Sequence, residues 1–214
     1  DNLSIINNRF LKSGGISIAF SSDNIYSNIS VNHNFFSEVQ NGNILIRSSS
    51  TSIINNLDVS YNTFKNACEI TGKFCINIAE NIGSGQSTES TYNNVSITKN
   101  SGNSYGGGGI KVGEAPHIKC MSVTISDNSF SQLDQNNSPF TDKNGVGYFV
   151  RGIGNYTLRG NVARGFGKQG IWIIGVNTAV IEGNVVDACC QLQNDTSVIE
   201  NAGIKVVTDG YDNT

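Results

Sequence analysis

The stretch LDVSYNTF, residues 57–64, sets apolar Leu57 and Val59 against polar Asp58 and Ser60, then runs through Tyr61 and Asn62 to Phe64. Strict alternation marks a strand with one buried face. Four residues are too few for a sheet of their own, so the partners must come from elsewhere. They are copies of the same frame, apolar–x–apolar–x–x–Asn–x–apolar. It reads LSIINNRF up to Phe10, ISVNHNFF up to Phe36, VSITKNSG at 95–102 and VTISDNSF at 123–130. It returns in degraded form as YTLRGNVA at 156–163 and AVIEGNVV at 179–186. Its asparagine is Asn8, Asn34, Asn62, Asn100, Asn128, Asn161 and Asn184, at steps of about 23 to about 38 residues. Steps of that size match one solenoid turn with variable loops.

A second frame interleaves with the first: a small residue followed by apolar–x–apolar. It reads GISI from 15, NILI from 43, CINI from 75, GIKV from 109, GYFV from 147, GIWI from 170 and GIKV from 203. The two frames alternate without a break. The expected fold is all-β, a single-stranded right-handed parallel β-helix of about seven coils with an Asn-rich bend. Strands of successive coils stack at roughly 4.8 Å, and inward Ile, Val and Phe pile on their own kind. The frame Asn is expected at a tight bend, where Asn tolerates unusual backbone angles, with its amide bonded to the Asn of the next coil. Residues 1–214 read as one β-helix domain, a fragment of a longer chain without visible caps. Longer connections at about 80–94, 131–146 and 187–202 are where a solenoid builds a binding face.

The interleaved frames resemble the right-handed parallel β-helix, or pectin-lyase-like, superfamily over nearly the whole chain. That resemblance implies the fold and leaves the function open among pectinases, lyases, epimerases, adhesins and phage tailspikes. The motifs of three of these groups are missing. There is no Arg–x–x–Pro–x–x–Arg run of pectate lyases, and none of the Asn–Thr–Asp, Asp–Asp, Gly–His–Gly or Arg–Ile–Lys motifs of polygalacturonases. EAPHI at 114–118 departs from the Asp–Pro–His–Glu run of alginate epimerases at the flanking acids. The Asn/Ser/Gly-rich, charge-poor coil with ragged insertions is most similar to bacteriophage tailspikes and polysaccharide depolymerases. This resemblance implies a homotrimer, an extracellular or virion-surface (tail) location and a bacterial surface polysaccharide as partner.

Composition narrows the classes further. Net charge is -3 and only 14% of residues are charged, against a basic face for nucleic acid. No apolar run approaches the roughly 20 residues of a membrane span, so no membrane insertion is expected. Five cysteines, Cys68, Cys75, Cys120, Cys189 and Cys190, show no metal-type spacing. They read as small buried thiols, with a Cys68–Cys75 disulfide allowed. No metal and no cofactor are expected.

The outward face supplies the candidate site. Aligning the second frame puts Ser17, Leu45, Asn77, Lys111, Phe149, Trp172 and Lys205 in one outward row. Two residues on, Ala19, Arg47, Ala79, Gly113, Arg151, Ile174 and Val207 form another. Phe149 and the sole tryptophan, Trp172, thus stand side by side, bracketed by Lys111 and Lys205, with Arg151 next to Phe149. Aromatic faces stack on sugar rings, and Lys and Arg pair with sugar carboxylates. A covering loop or a subunit contact uses the same residue types. Glu80 and Glu114 fall at equivalent positions just past consecutive strands, about 5 Å apart in backbone if the register holds. Such a pair splits its pKa values and suits a retaining glycosidase. The expected function is binding and hydrolysis of polysaccharide by Glu80 and Glu114. The alternatives are a non-catalytic structural or adhesive shaft and a secreted lyase or epimerase.

Overall fold

The computed structural model describes residues 2–20, 23–39, 43–48, 51–68, 73–81, 90–104, 106–113, 118–132, 145–190 and 202–207. These build a seven-coil parallel β-helix with three seven-stranded sheets and no helix among the described residues. The first sheet is Leu3–Ile6, Ile25–Asn32, Ile53–Ser60, Thr91–Thr98, Lys119–Ser126, Ile153–Arg159 and Thr178–Glu182. The second is Arg9–Leu11, Phe35–Ser37, Thr63–Ala67, Ser101–Ser104, Ser129–Ser131, Val162–Arg164 and Val185–Asp187. The third is Ile16–Phe20, Ile44–Ser48, Phe74–Asn81, Gly108–Val112, Tyr148–Arg151, Ile171–Ile174 and Ile204–Val207. The first frame spans the bend from the first sheet to the second. The second frame makes the third sheet.

Register follows the frames. Val31, Val59, Ile97, Ile125 and Leu158 pair in line up the first sheet and are all fully buried. Phe10, Phe36 and Phe64 stack face to face on successive coils, with ring centroids 4.8 and 4.9 Å apart. The next coil has Gly102 in that row, and the rings of Phe64 and Phe130 close over it to 5.8 Å. A Cβ at Gly102 would stand 2.5 Å from that of Phe64. The small residue that opens the second frame has a similar cause. A Cβ at Gly147 would meet the Gly170 carbonyl oxygen at 2.4 Å, and one at Gly109 would meet the Gly147 oxygen at 2.6 Å.

The asparagine ladder is continuous from Asn8 to Asn184. Each Nδ2 donates to the Oδ1 of the next coil's asparagine at 2.9–3.1 Å. Each Oδ1 from Asn34 onward also accepts the backbone N–H of the preceding rung. From Asn34 onward Nδ2 also donates to a main-chain carbonyl one coil back, such as Val31 for Asn62 and Val59 for Asn100. The amides of Asn34, Asn62, Asn100, Asn128 and Asn161 are buried yet satisfied, which buried polar groups require. One expectation is corrected. The residue in the left-handed region is not the ladder asparagine but the one before it: Asn7, His33, Tyr61, Lys99, Asp127, Gly160 and Gly183, at φ of 55–63°. The preceding residue makes the turn, and the asparagine after it aims inward.

Candidate carbohydrate-binding face

The outward row of the third sheet stands as the frames align it. Ser17 pairs with Leu45, Leu45 with Asn77, Asn77 with Lys111, Lys111 with Phe149, Phe149 with Trp172 and Trp172 with Lys205. The Trp172 and Phe149 rings form a T-shaped pair, 5.1 Å between centroids and 72° between planes. Lys205 Nζ lies 5.0 Å from the Trp172 ring centre, a cation–π contact worth about 0.5–1 kcal/mol where exposed. Lys111, Phe149, Arg151, Trp172 and Lys205 are all half-buried. Trp172 is therefore not simply wet. Its Nε1 is buried with no hydrogen-bond partner among the described residues.

A third aromatic escaped the frames. The Phe74 ring lies 6.3 Å from that of Phe149, extending the aromatic strip one way as Lys205 extends it the other. Phe74 pairs in register with Gly108, where a Cβ would sit 2.3 Å from the Phe74 ring. The signal was the glycine run at 106–109, which leaves room for a large side chain on the adjoining coil.

The second outward row needs a correction. Ala79 does not face out. It is fully buried at φ 64°, a bulge that shifts the pairing, so Arg47 pairs with Glu80. Glu80 thus lies within the Phe74–Asn81 strand rather than past it, and its backbone takes the place expected for Ala79. An extra residue in one strand of a pair has this effect. Glu114 lies outside the described residues, as do His117, Asp134, Asp142, Asp195 and Glu200.

Other charged side chains make surface pairs. Arg159 binds Glu182, and Arg164 Nε lies 2.7 Å from Asp187. Asp58 accepts from Asn32 and Ser60. His33 stacks on Tyr61 at 4.8 Å, and Lys99 donates to the Tyr61 hydroxyl at 2.9 Å. Among the described residues no three His, Cys, Asp or Glu gather as a metal site. None of the five cysteines is joined in a disulfide.

Three coils thus present aromatic rings on one face, with cations beside them, on a rigid parallel sheet. Comparison with protein-family models, curated proteins and solved structures finds no match to this chain.

Proposed function

We propose that the chain is a tailspike-like β-helix that binds an acidic bacterial surface polysaccharide along the outer face of its third sheet and cleaves it. The observation that carries this reading is the Phe149–Trp172 pair with Lys205 over the indole, on neighbouring coils of one sheet. Rings stack on the apolar faces of sugars, and Lys111, Arg151 and Lys205 offer charge to sugar carboxylates. Glu80 and Glu114 are the proposed acid–base pair, giving hydrolysis in preference to β-elimination. The working unit is a homotrimer outside the cell or on a virion tail.

The test is incubation of the full-length assembly with capsule and O-antigen polysaccharides, reading new reducing ends and absorbance near 235 nm. Reducing ends without absorbance, abolished by Glu80→Gln and by Glu114→Gln, support the reading. Absorbance identifies a lyase instead. The second reading is a non-catalytic adhesive shaft. It draws on the first sheet, whose outward Ser30, Asp58, Ser96, Thr124 and Thr157 continue coil after coil without an aromatic. A glycan that binds and is never cut decides for it.

A further inference from the structure

A second asparagine ladder runs up the outside of the first sheet, away from the third-sheet site. The strands Ile25–Asn32, Ile53–Ser60 and Thr91–Thr98 each turn left-handed at mid-length, at Asn28, Asn56 and Asn94, with φ of 58°, 55° and 55°. All three side chains are exposed. Asn28 Nδ2 donates to Asn2 Oδ1 at 3.0 Å, Asn56 Nδ2 to Asn28 Oδ1 at 3.0 Å and Asn94 Nδ2 to Asn56 Oδ1 at 3.2 Å. Each of these amides has two N–H donors, and the second bonds to none of the described residues. Two residues on, Ser4, Ser30, Asp58 and Ser96 pair in register as a second row. Asn32 and Ser60 fix the carboxylate in that row. Asn32 Nδ2 donates to Ser30 Oγ at 2.7 Å and to Asp58 Oδ2 at 2.8 Å, and Ser60 Oγ donates to the same Oδ2 at 3.1 Å. Asp58 Oδ1 accepts from none of the described residues. Between the rows lies a groove of about 490 Å³, lined by Asn2, Asn28 and Asn56 on one side and by Ser4, Ser30 and Asp58 on the other.

We infer that this groove is a second glycan site, built for an uncharged sugar residue. A sugar hydroxyl both donates and accepts. The ionised Asp58 only accepts, and the ladder amides beside it donate. Hydroxyls on adjacent ring carbons fit that arrangement: one donates to Asp58 Oδ1 while its neighbour accepts the second N–H of Asn28 or Asn56. Hydrogen bonds to an ionised partner are roughly twice as strong as those between neutral groups. No Lys or Arg lines the groove, so a sugar carboxylate would meet only Asp58, a charge of its own sign. The third-sheet strip is the converse, with Lys111 and Lys205 in line with its rings. The two faces thus take different units, charged on the third sheet and uncharged on the first.

The experiment is amide-proton NMR of the nitrogen-labelled full chain, titrated with the methyl glycosides of glucose, galactose, mannose, rhamnose and N-acetylglucosamine. The expected result is a saturable shift of the Asn28 and Asn56 side-chain amide signals with at least one of these sugars, while the indole N–H signal of Trp172 stays in place. Asp58→Ala is expected to weaken that binding about tenfold. No shift of these amides with any of the sugars overturns the inference, as does binding of equal strength to Asp58→Ala. Equal binding of methyl glucuronide, the charged counterpart, also counts against it. A shift confined to the Trp172 indole overturns it too, by placing the sugar on the third sheet. If Asp58→Ala does not fold, Asn56→Asp decides in its place: aspartate tolerates the left-handed turn but lacks the amide donors, and the same loss is expected in the Asn28 signal. The inference stands apart from the binding of acidic polysaccharide, which Trp172 reports.

Discussion

At Asn100 a single side chain serves five partners, the Thr98 carbonyl at 3.2 Å from Nδ2 among them. Its Oδ1 accepts from the Asn62 backbone N–H and from Asn62 Nδ2, and its Nδ2 donates to Asn128 Oδ1 and to the Val59 carbonyl. These last four sit in the buried interior, where an orphaned group costs about 1–3 kcal/mol. Asn100→Ala is expected to lower stability by about 3 kcal/mol or more, read as a shift of the denaturant midpoint. Arg164→Ala, which removes only a surface ion pair, changes stability by less than about 1 kcal/mol in the same assay. At Gly108, alanine drives a Cβ into the Phe74 ring and the Val146 carbonyl. Gly108→Ala is expected to destabilise the chain and weaken glycan binding together. At Trp172 the effects separate. Trp172→Ala leaves the fully buried Ile171 and Ile173 untouched. It is expected to cost tenfold or more in glycan affinity, the scale of an aromatic anchor, with the fold retained by circular dichroism.

At the scale of strands and bends, the sequence was most legible where one residue has one job. Inward Ile and Val, the ladder Asn and the corner Gly recur because each coil presents the same slot to the next. Degraded copies still fit: Gly102 keeps the frame by letting two phenylalanines meet over it. Features that depend on the neighbouring coil were hidden. The left-handed position is filled by Asn, His, Tyr, Lys, Asp and Gly in turn, so no residue type marks it. The Ala79 bulge has no local signature either, and it moved Glu80 in register. Phe74 was missed because the second frame begins one residue after it. The buried acids of these strands set an alkaline limit. Burial raises the Cys120 thiol from its ordinary 9.0 to about 12 and pushes the phenols of Tyr92 and Tyr148 upward. Above pH 9 the unfolded chain releases protons that the folded chain keeps, so stability falls as pH rises. Thermal melts are expected to be flat with respect to these groups below pH 8 and to decline from about pH 9 toward 12.

For the whole molecule, the coil is a ruler. Neighbouring coils lie roughly 4.8 Å apart, so side chains in one outward row recur at close to the length of a sugar unit. The strip from Phe74 through Phe149 and Trp172 to Lys205 runs along the stack and not around it. A chain laid lengthwise on the third sheet meets rings and cations in succession, and this geometry joins the fold to the proposed function. Trp172 is the chain's only tryptophan, so its emission reports from the centre of that strip. The most direct measurement is Trp172 fluorescence during titration of the full-length assembly with acidic and neutral bacterial polysaccharides, with binding followed in parallel by calorimetry. The account predicts a saturable change in emission with an acidic polysaccharide, matching the calorimetric isotherm and weakened by Lys205→Ala. Calorimetric binding of a polysaccharide with no change in Trp172 emission, or no binding of any acidic polysaccharide, contradicts it.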